Sequence, residues 1–178
     1  MSVAVETMTA TSAGSAEAMA RRVTDHYERR GRVLWGLARR LGATEEQSAD
    51  VVQEAHLRLW RALTNGTHIE DLDAWTFRVT YRLIMDQHRL GRRARDLLER
   101  LIDPRGTVVT PVLDEALSLW PMVDRLPSRE RTTLYLHYRA DLSFVQVGHV
   151  MGITAASART YASRGMQRLR ALIDETER

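Results

Sequence analysis

The sequence predicts an all-α fold: two small helical domains joined by a flexible linker. Three observations predict it. Glycine (10) and proline (4) are sparse among the 178 residues, and strand-like alternation is nearly absent. Apolar residues recur at three- and four-residue steps through most of the chain. Helix start and stop signals punctuate those stretches at regular intervals.

The elements follow in order. Residues 1–18 are rich in Ala, Ser and Thr with little core potential, and a disordered tail is expected there. A first helix runs from about Ala20 to Leu41, with Val23, Tyr27, Leu34, Leu37, Ala38 and Leu41 as its apolar stripe and Gly42 as its stop. Thr44-Glu45-Glu46-Gln47 is a capping box with two acids where the helix dipole favours negative charge. The helix it opens reaches about Leu63 and ends at Asn65-Gly66. On it Asp50, Gln53, Glu54, Leu57, Arg58 and Arg61 share one polar face, while Val52, Ala55, Leu59, Trp60 and Leu63 can fill a core.

After a polar loop a third helix spans about Leu72 to Leu90. Leu72, Trp75, Val79 and Leu83 are placed inward; Arg78, Arg82, Arg89 and Arg93, with Tyr81 beside them, form a basic stripe suited to a nucleic-acid backbone. A basic exit begins at Gly91, and Asp96 to Ile102 can add a short amphipathic helix. The domains are therefore placed at 19–95 and 113–178, with residues 96–112 as the linker. A helix near Val112–Trp120, an interruption at Pro121 and a stop at Leu126-Pro127 come next. Ser128 can cap a helix reaching Tyr138.

Residues 142–170 read as a helix-turn-helix. Ser143 and Gln146 make a second capping box, Gly152 supplies the left-handed stop, Ile153 plugs the corner, and Thr154 caps a helix running to about Ile173. This is the geometry that sets one helix in a major groove.

Composition narrows the function classes. No apolar run is long enough to span a membrane, and no basic-then-apolar leader pattern opens the chain, so a cytoplasmic location is expected. Without cysteine there is no thiolate metal site. Net charge is +3 with a pI near 9.8, and all 26 basic residues are arginine. Arginine-favouring codons of a GC-rich genome account for the missing lysine, so the positions of the arginines are the more useful signal. The six histidines form no HExxH pair or metal-ligand spacing; His56 and His149 are placed on helix surfaces, and Trp35, Trp60, Trp75 and Trp120 in the core. No catalytic residue, metal site or cofactor is expected.

Two blocks resemble the extracytoplasmic-function (ECF) group of bacterial sigma factors. Residues 50–61, DVVQEAHLRLWR, are close to the family's region 2.2, and Ala74-Trp75-Thr76-Phe77-Arg78-Val79 with Leu83, Ile84 and Asp86 look like regions 2.3 and 2.4. Leu126-Pro127, Arg131, Leu134, Tyr138 and the helix-turn-helix match region 4 in spacing. The resemblance implies a protein that binds core RNA polymerase and directs it to promoters. Asp50, Gln53 and Glu54, with Leu57 and Arg58 on the same face, would dock on the polymerase clamp. Arg78, Tyr81, Arg82, Arg89 and Arg93 would engage the −10 element and its melted strand. Opening there extrudes bases at a few kcal/mol each, supplied by binding energy because sigma factors use no ATP. Ser157, Arg159, Thr160, Tyr161 and Arg164 would face the −35 element, with Arg159 or Arg164 able to take a guanine. An anti-sigma factor is a further partner of such proteins; one acting here would cover the polymerase-binding faces of both domains.

The chain departs from the family pattern at three places. Thr80-Tyr81-Arg82 stands where Ala-Arg-Asn is frequent, and Tyr161 replaces an arginine in the recognition helix. Gly148 replaces a small alanine, with an expected loss of about 1 kcal/mol in helix stability. The first two point to an altered promoter preference. Two other readings of the residues are a free-standing helix-turn-helix regulator and a sigma-like protein without initiation activity.

Overall fold

The computed structural model describes residues 2–99 and 119–176, with side chains over 17–91 and 119–175. Seven α-helices and one π-helical turn make up these residues, with no strand among them. They are α1 (Ser2–Arg40), α2 (Glu45–Thr64), α3 (Leu72–Glu99), α4 (Trp120–Val123), α5 (Ser128–Leu134), the π-turn (Tyr135–Arg139), α6 (Phe144–Met151) and α7 (Ala155–Thr176).

Both expected capping boxes form. Thr44 Oγ1 accepts from Gln47 N at 3.2 Å, and Ser143 Oγ from Gln146 N at 3.3 Å, with the reciprocal side-chain bonds in place. Gly152 ends α6 at φ 68°, and Thr154 Oγ1 accepts from Ser157 N at 3.1 Å to start α7.

Several local expectations are corrected. Residues 2–18 belong to α1; their Ala, Met and Glu are strong helix formers that outweigh the Ser and Thr. Gly91 does not end α3, since one glycine among arginine, leucine and alanine costs only about 1 kcal/mol. The helix thus runs through residues 96–99 of the expected linker; residues 100–118, holding the rest of it and most of the expected 112–120 helix, lie outside the described residues. Pro121 opens α4 from its first turn rather than interrupting a helix, because its missing N–H has no partner to lose there. Pro127, already extended, is the N-cap of α5, and Ser128 lies inside it without a capping bond. The helix expected to reach Tyr138 turns π-helical at Tyr135, with Ala140 N bonded to Tyr135 O at 3.1 Å.

The two domains share one core. Leu34, Leu37 and Ala38 of α1, Val52 of α2, Phe77 and Ile84 of α3, Tyr135 and Leu136, and Val147 and Val150 of α6 form a continuous buried cluster. The seam is made where α1 has no side chain. A Cβ on Gly36 would overlap the Tyr135 hydroxyl, which instead donates to Val33 O at 2.9 Å. Arg40 lies over the rings of Tyr135 (4.7 Å) and Trp120 (5.2 Å) and pairs with Asp124 at 3.3 Å. On the far side Gln146, while completing its own capping box, donates to Asp71, whose other oxygen caps α3 through Ala74 N at 2.9 Å.

Inside the first domain, three helices meet on a buried polar relay. His56 Nδ1 donates to Val52 O at 2.7 Å, and its Nε2 lies 3.0 Å from His26 Nδ1. His26 Nε2 faces Asp73 Oδ1 at 3.1 Å, and Asp73 also pairs with Arg30. His56, expected on a surface, is thus buried, and Tyr27, expected in the core, covers its ring edge-on while remaining 51% exposed. In α3 the deepest residues are Thr76, Phe77, Thr80 and Ile84; Leu72, Trp75, Val79 and Leu83 are half-buried beside them. The inward arc is rotated because α3 faces α1 and α2 on one side and α6 on the other.

Two predictions follow from this packing. Burial, then the neighbouring His56 ring, hold His26 below the ordinary histidine value, with Asp73 pulling the other way; burial also lowers His56. The unfolded chain therefore takes up more protons below about pH 6.5, so stability present above that value is lost as pH falls through the folded values. The urea midpoint of the wild type is expected to drop between roughly pH 7 and pH 5.5 and that of His56→Gln to drop less; a wild-type midpoint flat over this range contradicts the assignment.

The second concerns Gly148. A Cβ there would lie 2.7 Å from Ile153 O and 3.3 Å from Ala155 N, both backbone atoms of the turn. The expected cost of glycine is thus reversed in sign: Gly148→Ala gains about 1 kcal/mol of helix propensity and loses roughly 1–3 kcal/mol to overpacking. Its thermal midpoint should fall below the wild type; a rise refutes the contact.

Candidate nucleic-acid and polymerase interfaces

Three surfaces carry the residues singled out in the sequence. The first is the outer face of α2. Asp50, Gln53, Leu57 and Arg58 are exposed and Glu54 is half-buried, all along one side. Arg58 Nε donates to Glu54 Oε1 at 2.7 Å, the pair their spacing allows. Leu57 and Trp60 stay 39% and 40% exposed. Trp60 was expected in the core and is not; it borders the polar face, next to Leu57, whereas Leu59 and Leu63 fill the interior. An indole left in solvent beside an exposed arginine has the residue types of a protein-binding hot spot.

The second surface comprises residues 64–71 and the start of α3. Arg78 is half-buried and lines a cleft of about 340 Å³ with His68, Glu70, Trp75 and, from α6, His149. Arg82 and Arg89 are exposed; Arg89 pairs with Asp86 at 3.3 Å. Tyr81 does not stand beside them in solvent: it packs against the shared core, and burial raises its pKa while the charge of Arg129 opposes the shift. The side chain of Arg93 lies outside the described residues. The structure therefore brings Arg78 to the loop, leaves Arg82 and Arg89 on the outer side, and turns Tyr81 toward the second domain.

The third surface is the N-terminal half of α7. Arg159, Thr160 and Arg164 are exposed, and Ser157 and Tyr161 half-buried. Ala158 and Ala162 face inward, and a Cβ on Gly165 would already touch Leu134 at 3.0 Å, so α7 lies close on α5. Two polar rungs join these helices. Buried Glu130 takes a bidentate bond from Arg168 Nη1 at 2.9 Å to both oxygens, and Arg129 Nη1 donates to Tyr161 Oη at 2.7 Å. Glu130 and Arg129 went unnoticed in the sequence, since 38 and 32 residues separate them from their partners.

Among the described residues no group of three or more His, Cys, Asp or Glu is placed to hold a metal ion, and no helix is long and apolar enough to cross a membrane.

Comparison with known proteins agrees with this layout. The family model of Sigma-70 region 2 matches residues 26–94, and that of Sigma-70, region 4 matches residues 122–171. The chain is 28% identical over 160 residues to the ECF RNA polymerase sigma factor SigE of Mycolicibacterium smegmatis, covering 83% of this chain and 58% of that protein. It is 32% identical over 143 residues to SigJ of Mycobacterium tuberculosis, covering 74% and 45%, so it spans only about half the length of these two relatives. With SigL of Mycobacterium tuberculosis it shares 27% over 169 residues, covering 91% and 94%. Among solved structures, the fold is similar to CnrH in complex with the cytosolic domain of CnrY (TM-score 0.59, 24% identity, 92% of this chain and 95% of that one). It is also similar to the sigma factor RpoE in complex with the anti-sigma factor NepR from Bartonella quintana (TM-score 0.63, 18% identity, 84% and 97%). With both sigma-70 regions present in order and together taking up more than half of its length, the chain belongs to the sigma factors of RNA polymerase, in their extracytoplasmic-function group.

Proposed function

We propose that the chain is a cytoplasmic promoter-specificity subunit of bacterial RNA polymerase, with no catalytic site of its own. The outer face of α2 docks on the core enzyme through Asp50, Gln53, Glu54, Leu57 and Arg58, with Trp60 beside them. The segment 64–71 and α3 engage the −10 element through Arg78, Tyr81, Arg82, Arg89 and Arg93. The exposed half of α7 reads the −35 element through Ser157, Arg159, Thr160, Tyr161 and Arg164. The observation that supports this reading is the α2 face, where Leu57 and Trp60 stay in solvent beside the exposed polar row of Asp50, Gln53 and Arg58.

Run-off transcription with purified core polymerase on genomic promoters tests it. Wild type should initiate at a defined set of promoters, and Asp50→Arg with Glu54→Arg should abolish core pull-down while the circular dichroism melt stays put. Unchanged pull-down by the doubly substituted protein removes the α2 assignment. Specific DNA binding without core would favour a free-standing regulator.

The packing of the domains adds a requirement. The −10 and −35 elements, by their names, lie about 25 base pairs apart, roughly 85 Å at 3.4 Å per step. Here α3 packs against α6, at the 8–10 Å or so typical of helix axes, and α6 leads directly into α7. The domains therefore part before both elements are read. A partner that clasps the packed form, as an anti-sigma factor would, opposes initiation. Gly36→Val, which intrudes on Tyr135, should enlarge the radius of gyration in small-angle scattering and leave run-off activity at least as high as wild type. A compact variant, or an expanded one that loses activity while still folded, contradicts this requirement.

A further inference from the structure

Tyr161 occupies a place where the family commonly has arginine, and the structure shows an arginine delivered to the same spot from another helix. Arg129, near the start of α5, sends its guanidinium across to α7. Nη1 lies 2.7 Å from Tyr161 Oη, and the guanidinium carbon lies 5.7 Å from the Tyr161 ring centroid. A phenol oxygen takes one of five N–H donors and neutralises no charge. Among the described residues no carboxylate lies within ion-pair distance of Arg129, and its neighbour Glu130 is taken up by Arg168. The side chain is exposed, and Arg159 and Arg164 are exposed on the same stretch of α7. The site thus holds an anchored, uncompensated guanidinium on the flank of a helix read as a DNA reader.

We propose that Arg129 is a DNA-contacting residue of this chain, held in place by Tyr161, and that it binds a backbone phosphate of the −35 duplex. This rests on the reading of α7 as the −35 reader. The choice of phosphate over base follows from geometry. A helix of about 10–12 Å diameter fills a major groove about 12 Å wide. A side chain arriving from a second helix, on the flank of the first, therefore meets the lip of the groove, where the phosphates run. Such a contact fixes orientation and carries no sequence information of its own. Tyr161 is then a positioning residue: its ring supports the guanidinium and its oxygen sets the direction of the remaining donors.

The test uses holoenzyme assembled with wild type, Arg129→Ala, Arg129→Lys, Tyr161→Phe, and Arg129→Ala with Tyr161→Phe. Promoter affinity is measured over a salt series on templates carrying the natural −35 element and single-base-pair variants of it. Arg129→Ala should weaken binding about fivefold on every template and flatten the slope of log K against log salt by about one. Arg129→Lys should retain the slope. Tyr161→Phe should weaken binding by a smaller factor, and the double variant should bind no worse than Arg129→Ala alone. An unchanged slope in Arg129→Ala, or a loss confined to templates altered at one base pair, overturns the phosphate assignment. Independent losses that multiply in the double variant overturn the positioning role of Tyr161. If wild-type holoenzyme is indifferent to scrambling the −35 element and to Arg159→Ala, the reading of α7 fails and this assignment fails with it. A wild type that needs the element, with an Arg129→Ala variant of unchanged slope, removes Arg129 alone.

Discussion

The architecture depends on one aromatic ring seated on a bare stretch of helix. Tyr135 reaches α1 where Gly36 leaves the backbone uncovered, and its hydroxyl finds the Val33 carbonyl there. The bond itself contributes only about 0.5–1.5 kcal/mol. Its larger effect is steric and electrostatic. The seated ring brings Trp120 to within 5.4 Å, edge-on, and gives Arg40 two aromatic faces to cover. Arg40 is thereby buried beside Asp124, and α4, α5 and the π-turn acquire their position on α1. A larger residue at 36 would displace the Tyr135 hydroxyl from Val33 O and disturb the seam over which Leu136, Val147 and Phe77 share a core.

That constraint relates the two halves of the molecule to its three candidate surfaces. On the α2 face Asp50, Gln53, Leu57 and Arg58 are exposed and Glu54 is half-buried. The α3 face is divided: Arg82 and Arg89 look outward, Tyr81 looks into the joint, and Arg78 lies in the cleft between. The N-terminal half of α7 is open, with Arg159, Thr160 and Arg164 exposed, yet Arg129 beside it still feels the Tyr81 phenol across the joint. In the proposed reading, a chain in this form offers its α2 face more readily than its α3 face. Parting the domains uncovers the large apolar side chains of the shared core, which makes the parted form dependent on whatever surface then covers them.

Local chemistry was legible in the sequence and long-range chemistry was not. The boxes at Thr44 and Ser143, the stop at Gly152 and the polar row from Asp50 to Arg58 need only neighbours within a few residues, and the structure has them where spacing puts them. His56 and Trp60 sit four positions apart, and reading them alone exchanged inside for outside. What decides between them is His26, thirty residues earlier, which offers the imidazole a buried partner and offers the indole none. Gly148 misled for the same reason: helix propensity counts against glycine, while the Ile153 carbonyl that excludes a side chain is visible only once the turn is folded. Arg129 gave no sign at all, because its meaning comes from a phenol on another helix.

Gln146 carries a last consequence. One end of its amide closes the box at the head of α6, and the other end reaches Asp71 at the head of α3. Asp71 in turn keeps one oxygen for its own helix. Val33 O, which Tyr135 borrows, belongs to a helix that stands without the loan. The links through Val33 O, Gln146 and Asp71 thus use spare valences of groups already employed at home, whereas Arg40 and Asp124 pair directly across the joint. When the halves separate, no helix loses its end and no cap comes undone. These links are press-studs rather than welds: parting them leaves the capping bonds of α3 and α6 in place.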